Sequence, residues 1–374
     1  MKLALVRRSF SPVGGAELYL NRLIEGLDRA GHEIHLLTES WTGTAANLRV
    51  HSLAVSGSRG TRPRAFADAV ARHLAQHTYD CVFSLERTLL QDVYRAGDGV
   101  HRAWLEQRRK YLPWWRTFWT GKFHRTMLQL EAQTFNPANT RCIIVNSEMV
   151  RNEIQRHYAF PAERIFLVGN GIQVDRMRSG RRAETRAKFG FDDHDFVCLF
   201  VGSGWERKGL QYVARALPDA QRKVDSTRSD VLLKLVVAGK GRPFDAGPNV
   251  IFAGAVADVE NLYAAADLLT FLPIYEPSAN VCIEALAAGL PVLTSSCNGA
   301  AELITSPDRG TVLADPSNVP AISAEIARRA NLPKRKRVTV PVNELSIERN
   351  VAETLQILEH AASNRRSERE HETI

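Results

Sequence analysis

The stretch PIYEPSANVCIEALAAGLPVL, residues 273–293, begins where one apolar run, LLTFLP (268–273), ends, and it leads into another, PVLTSS (291–296). Pro277 and Ser278 suit the start of a helix between them, because proline lacks an amide that the first turn leaves unpaired and serine caps one. The small residues of AAGL close that helix before the next strand. Two fully apolar strands joined through a helix form a crossover unit, which makes a parallel sheet covered on both faces.

The same scheme extends outward along the chain. Strands are expected at FVCLFVGS (196–203), LKLVVAG (233–239), VIFAG (250–254) and GTVLAD (310–315) in the second half. In the first half they are expected at LALV (3–6), EIHLLTES (33–40), RVHSLAV (49–55), YDCVFSL (79–85), RCIIVNS (141–147) and IFLVGNG (165–171). Amphipathic segments lie between them; in AELYLNRLIEGLDRAG, Leu18, Leu23 and Leu27 recur at helical spacing and Gly31 stands at the C-terminal position. At 374 residues the chain exceeds one typical core. Two consecutive strand–helix series therefore predict an α/β protein of two doubly wound domains facing across a cleft. The polar, basic connection NGIQVDRMRSGRR (170–182) marks the boundary.

A 44% hydrophobic and 24% charged composition is that of a globular protein, not a disordered one. The net charge of +8 is concentrated: HRAWLEQRRKYLPWWRTFWTGKFHR (101–125) holds seven Lys or Arg against one Glu, together with four of the six tryptophans. Such a cluster implies a docking face. The five cysteines (Cys81, Cys142, Cys198, Cys282 and Cys297) form no CxxC pair and sit in apolar surroundings, as buried reduced thiols do in the cytoplasm. Arg7 and Arg8 cut the N-terminal apolar run too short for a signal peptide, and no uncharged run could cross a bilayer. The chain is expected to stay in the cytoplasm.

Three segments carry chemistry. SPVGGAELY (11–19) opens the first long helix; Gly14 and Gly15 let a phosphate approach the backbone, although a Gly-Gly turn alone is more often only a turn. It lacks the third glycine of a dinucleotide fingerprint, which argues against a NAD-dependent oxidoreductase. In VGSGWERKGL (201–210), Arg207 and Lys208 precede a helix near Gly209 and suit a diphosphate held without a metal, the plain reading being solvated charges. Glu276 and Glu284 stand eight residues apart, one in the loop and one within the helix. An ionised carboxylate accepts several hydrogen bonds, so the pair suits sugar hydroxyls.

With GGAE (14–17), NG (170–171), GSGWERKG (202–209), the AGKG turn (238–241), E-x7-E (276–284) and AGLPVL (288–293), the chain resembles the retaining glycosyltransferases of the GT-B fold, family 4. Within that family, RSFSPVGGAE, the SW at 40–41 and the basic aromatic stretch after Asp98 resemble the lipopolysaccharide core glucosyltransferases acting on heptose. The resemblance implies an acceptor-binding domain at 1–173, with a membrane-interacting segment at 101–135. It also implies a nucleotide-sugar-binding domain at 174–350, and a helix and tail at 351–374 that return to the first domain. It assigns Arg207 and Lys208 to the donor diphosphate, Glu284 to the ribose, Glu276 to the transferred sugar, and Asp98 to the reacting centre. Gly14, Gly15, Arg176, Gly202, Ser278, Ala279 and Asn280 complete the implied donor site. His101 lies near a position where other family members carry histidine, and Glu17 stands where glutamine is common.

The reaction so implied moves a hexose, glucose from UDP-glucose, onto a lipid-linked glycan, with neither cofactor nor metal. An acceptor of that kind places the enzyme on the inner face of the cytoplasmic membrane. Trp104, Arg108, Arg109, Lys110, Trp114, Trp115 and Trp119 are then the residues that meet an anionic membrane surface. Trp115, Phe118, Trp119, Lys122 and Phe123 are expected on one face of a helix starting at Pro113, unless the aromatics are simply core. Nucleic acid is disfavoured as a partner because no module signature accompanies the segment. Transferases of GlcNAc or mannose, a UDP-sugar epimerase and a nonenzymatic nucleotide-binding scaffold are the other readings. KRKRV (334–338) reads as a solvated loop and SNRRSEREHETI as a disordered tail.

Overall fold

The computed structural model describes residues 1–9, 15–41, 48–117, 121–332 and 337–372, and the side chains of all of these but 15–18 and 366–372. The chain divides into two compact units, Met1–Asn170 with Ile347–Ile374, and Gly171–Ser346. The first holds seven strands: β1 (Lys2–Val6), β2 (Glu33–Thr38), β3 (Leu48–Ser52), β4 (Cys81–Ser84), β5 (Gln91–Arg95), β6 (Thr140–Val145) and β7 (Ile165–Leu167). Their order is β3-β2-β1-β4-β5-β6-β7 and all pairings are parallel.

Leu20, Leu23, Ile24 and Leu27 on the helix Gly15–Arg29 bury against Leu3 and Leu5 of β1 and Leu36 of β2. Gly31, at φ +73°, turns the chain out of that helix. Val351, Leu358 and Ala361 of the C-terminal helix join the same core. That helix crosses the first one closely, since a Cβ at Gly26 would lie 2.6 Å from Val351 Cγ1. It runs on to Glu372, so residues 363–372 of the tail read as disordered are helical in their backbone. A run of charged residues has no apolar periodicity to announce a helix, and here the helix propagates from the packed turns before it.

The second unit holds β8 (Phe196–Val201), β9 (Leu233–Ala238), β10 (Val250–Gly254), β11 (Leu268–Phe271), β12 (Val292–Ser295) and β13 (Gly310–Leu313). The order is β10-β9-β8-β11-β12-β13, again parallel throughout. In both sheets the strand order reverses once, between β1 and β4 and between β8 and β11. That is the doubly wound architecture expected from the sequence, with a topological switch point in each unit. Of the basic run KRKRV, residues 334–336 lie outside the described residues. Of the other two, Arg337 is exposed as expected, its Nη1 donating to the Ala288 carbonyl (3.2 Å), whereas Val338 is buried.

β5, QDVYR, is a strand the apolar pattern did not announce. Its polar side chains are buried, and Gln91, Asp92 and Arg95 each have a hydrogen-bond partner elsewhere in the unit. Asp92 accepts from the Val82 amide (2.7 Å), Arg141 Nε (3.0 Å) and Arg365 Nη1 (2.5 Å), while Arg95 Nη2 donates to Asn170 Oδ1 (3.0 Å). All five cysteines are buried free thiols. Among the described residues no helix is long and apolar enough to cross a membrane.

Candidate functional site

The second unit gathers the side chains expected to bind the donor around its switch point. β8 ends at Val201, and the turn after it carries Gly202, Arg207 and Lys208 before the helix Leu210–Asp225. β11 ends at Phe271, and the loop after it carries Glu276 before the helix Asn280–Ala287. Gly209, at φ +79°, makes the first turn possible; a Cβ there would meet the Leu272 carbonyl oxygen at 1.9 Å, so only glycine lets the two loops touch.

Arg207 Nη1 donates to Glu276 Oε2 (2.8 Å) and to the Tyr275 carbonyl (2.8 Å), both side chains being half-buried. Lys208 Nζ lies 5.6 Å from the Phe271 ring centroid. A Cβ at Gly202, φ +140°, would come within 2.8 Å of that ammonium, so the glycine also makes room for it. Burial pulls the Lys208 ammonium below its usual range and Arg207 adds to the fall, while Glu276 and Glu284 oppose it. An anion placed here would restore what burial removes.

Glu284 accepts from Tyr263 Oη (2.7 Å). Burial raises its carboxyl above the ordinary value, against the Tyr263 hydrogen bond and the charges of Arg176 and Lys208. Arg176, in the short helix Val174–Arg178, also donates to Glu260 Oε2 (3.0 Å) and the Ala257 carbonyl (2.7 Å). Glu276, Arg207, Lys208, Glu284 and Arg176 thus form one charged cluster at the carboxyl ends of β8 and β11.

The loop between Glu276 and Glu284 is built differently from the sequence expectation. The N-cap position falls on Ala279, not Ser278. Asn298, buried after β12, accepts the Ala279 and Ala300 amides at Oδ1 (3.1 Å each) and donates to Thr294 Oγ1 (3.0 Å). The Glu276 backbone is clamped in turn, its amide on the Cys297 carbonyl (2.8 Å) and its carbonyl accepting Gly299 N–H (2.9 Å). Asn298 is the site residue that sequence reasoning missed: it lies well beyond the helix whose start it caps, and nothing local marks it. Ser278 and Asn280 are half-buried beside buried Ala279.

The other expected residues belong to the first unit. Gly15 opens the helix Gly15–Arg29, and Gly14 lies outside the described residues. Asp98 is exposed in the turn after β5. Its neighbour His101 begins the helix His101–Tyr111 and pairs with His124 (Nε2 to Nδ1, 3.0 Å). Burial and then the Arg87 charge push His101 down to about 4.

The basic aromatic stretch is not one helix from Pro113. His101–Tyr111 stops where Leu112, next to Pro113, turns extended (φ −110°, ψ 152°), as the residue before a proline does. Trp114–Thr117 is a single turn, and Gly121 (φ −61°, ψ 164°) starts a new helix, Lys122–Thr134. Trp115, Lys122 and Phe123 therefore share no helix face; Phe118 and Trp119 lie outside the described residues. Trp114 and Trp115 are 70% and 64% exposed, edge to face at 6.2 Å, with Arg109 and Lys110 exposed nearby in sequence. Trp104 is half-buried, and Arg108 donates to His124 Nε2 (3.2 Å) and the Arg116 carbonyl (2.9 Å).

A cavity of about 790 Å³ lies elsewhere in the first unit, by the amino ends of β5 and β6, lined among others by Leu74, His77, Asp92, Arg141 and Arg365. Its buried carboxylate, Asp92, is already held by Arg141, Arg365 and the Val82 amide. It sits at the wrong end of the strands for the ligands of a doubly wound sheet. Among the described residues no group of three or more His, Cys, Asp or Glu side chains is arranged to hold a metal ion.

Two family models match, "Glycosyltransferase Family 4" over residues 13–176 and "Glycosyl transferases group 1" over residues 195–331, between them most of the chain. The lipopolysaccharide glucosyltransferase WaaG of Escherichia coli K12 is 28% identical over 343 residues, covering 88% of this chain and 89% of that protein. An uncharacterized glycosyltransferase of Methanocaldococcus jannaschii is 24% identical over 341 residues, covering 81% of this chain and 83% of that one. The crystal structure of WaaG superposes with a TM-score of 0.74 at 25% identity, over 96% of this chain and 98% of that one. Two parallel-sheet units, a charged cluster at the second unit's switch point and these likenesses agree: the chain is a glycosyltransferase of family 4, with the GT-B fold.

Proposed function

We propose that the protein transfers glucose from UDP-glucose, with retention of anomeric configuration, to a heptose of a lipopolysaccharide inner core at the cytoplasmic face of the membrane. The observation that carries this reading is the cluster of Arg207, Lys208, Glu276 and Glu284 around the β8/β11 switch point, taken with the 28% identity to a lipopolysaccharide glucosyltransferase. Arg207 and Lys208 hold the diphosphate, Glu284 the ribose, and Glu276 the sugar that moves. Gly202, Arg176, Ser278, Ala279 and Asn280 shape the same donor site. The first unit takes the acceptor and presents Asp98 to the reacting centre.

In the transfer, the bond from the anomeric carbon to the diphosphate oxygen breaks, and a bond to the acceptor oxygen forms on the same face. The acceptor's proton passes to an oxygen of the departing diphosphate. This scheme needs no protein nucleophile, whereas double displacement would occupy a second carboxylate beside the bond. The two cations stabilise the leaving charge, so the reaction runs without a metal. The exposed Trp114 and Trp115 and the cations near them meet anionic lipid, where indole rings settle at the headgroup boundary.

The test is transfer of labelled sugar to a heptose-terminated lipopolysaccharide core from UDP-glucose, UDP-galactose, UDP-GlcNAc and GDP-mannose, each with and without EDTA. Glucose transfer that resists EDTA and gives an α-linked product supports the reading. Preference for another donor, a β-linked product, or loss of activity with EDTA rejects the corresponding part.

A further inference from the structure

One carboxylate in the first unit is more fully engaged than any in the cluster above. Glu131, on the helix Lys122–Thr134, has no solvent exposure. Its Oε2 accepts the His101 amide (2.5 Å) and Arg87 Nη2 (3.1 Å); its Oε1 accepts the Arg102 amide (3.0 Å) and Tyr158 Oη (2.6 Å). His101 and Arg102 are the first two residues of the helix after the Asp98 turn, whose N-cap, Val100, offers no side-chain acceptor. Glu131 therefore caps that helix from a different element, where a negative charge is favoured.

Arg87 ties this carboxylate to the turn itself, since the same Nη2 donates to the Gly99 carbonyl (2.7 Å). On the other side Asn146 Nδ2 reaches the Gly97 carbonyl (3.3 Å), and the Gly99 amide closes on the Ala96 carbonyl (3.1 Å). Gly97–Gly99 is thus anchored on both flanks while Asp98, between them, faces solvent. A carboxylate serving only to cap a helix has no need of a guanidinium partner that also grips the preceding turn.

We propose that Glu131 is a positioning residue for sugar transfer: through Arg87 and the amides of His101 and Arg102 it holds the Gly97–Gly99 turn that presents Asp98. The inference rests on the reading of Asp98 as a group at the reacting centre. Loss of the hold lets Asp98 wander, and misplacement of a reacting group by an ångström costs up to about 100-fold in rate.

The full-length protein is assayed for transfer from UDP-glucose to a heptose-terminated lipopolysaccharide core, for UDP affinity by calorimetry, and for amide exchange over residues 96–103. Glu131→Gln is expected to lower kcat by about 10- to 100-fold, to leave the UDP-glucose KM and UDP affinity within about twofold, and to speed exchange at 96–103 alone. Asp98→Asn combined with Glu131→Gln is expected to be no slower than Asp98→Asn, because the hold acts only through Asp98. Multiplied losses in the double variant, or an unchanged kcat in Glu131→Gln, overturn the inference. If Glu131→Gln does not fold, Arg87→Lys is read by the same criteria, since it releases Gly99 and leaves the helix amides their acceptor. Asp98→Asn at the wild-type rate overturns the reading of Asp98 and this inference with it. An inactive Asp98→Asn beside a fully active Glu131→Gln overturns this inference alone.

Discussion

Two sets of carboxylates sit in the two units and differ in how much of their accepting capacity is used. Glu131 is buried with four donors on its two oxygens. Glu276 and Glu284 are half-buried, and among the described residues their side chains accept from Arg207 and Tyr263 respectively. A saturated carboxylate holds structure in place, while one with lone pairs to spare at a strand's carboxyl end has room for a ligand's hydroxyls. Glu residues of the same kind are thus separated by their surroundings, which is where function divides from architecture.

The sharpest way to break this comparison is truncation of both kinds. Glu131→Ala removes the carboxylate from the buried Arg87 guanidinium and the acceptor from two helix amides, and should cost about 3–5 kcal/mol of stability, the scale for breaking a buried pair. Urea unfolding of the first unit measures it, and a loss below about 1 kcal/mol would place Glu131 among the dispensable carboxylates. Lys208→Ala should lower kcat about 10²- to 10³-fold, as loss of one preorganised charge does, with little change in melting temperature. Turnover within threefold of wild type rejects its place on the diphosphate.

Glu284→Ala should weaken UDP binding by about 10- to 100-fold, since a hydrogen bond to a charged group is worth about 1.5–3 kcal/mol. Calorimetry decides it, and unchanged affinity would remove Glu284 from the site. Acid sharpens the contrast within the first unit. There His35, His51, His73 and His77 pack ring to ring, His73 and His77 stacked at 4.1 Å. Burial first, then the neighbouring charges of His77 and His51, push His73 down to about 4, and burial likewise lowers His51. The unfolded chain binds a proton at His73 near pH 6.5 and the folded one does not until near pH 4, so stability falls as pH drops through that window. His73→Gln should flatten the decline in melting temperature between pH 6.5 and 4; an unchanged slope would mean that the histidines do not set it. The smallest expected effect is on stability in Trp114→Ala with Trp115→Ala, within about 0.5 kcal/mol because both rings are exposed. The same variant should lose flotation with anionic vesicles while keeping UDP affinity, and retained flotation would remove the tryptophans from the membrane face.

Among the described residues, twelve of the thirteen strands could be read from short apolar or β-branched runs, the central ones because a parallel strand buried on both faces must be apolar along its length. β5 escaped that logic: its Gln, Asp and Arg are buried too, but each is hydrogen-bonded to a partner distant in sequence, such as Thr140, Arg365 or Asn170. The basic aromatic segment shows the converse failure. Its composition was legible, but the expected helix from Pro113 was not the outcome: Trp114–Thr117 is a single turn, and Gly121 starts a separate helix, Lys122–Thr134.

Local order in the chain determined what neighbouring residues can decide: strand and helix alternation, the turn glycines at 202 and 209, and the cation pair at 207–208 beside the Glu276–Glu284 spacing. Tertiary structure alone decided which distant groups complete them. Asn298 clamps the Glu276 loop, Tyr263 meets Glu284, and Glu131 caps a helix 30 residues before it. The physical reason is the same in each case. Periodicity and turn chemistry are properties of consecutive residues, whereas satisfying a buried polar group depends on whichever side chain the packed fold brings within hydrogen-bonding distance.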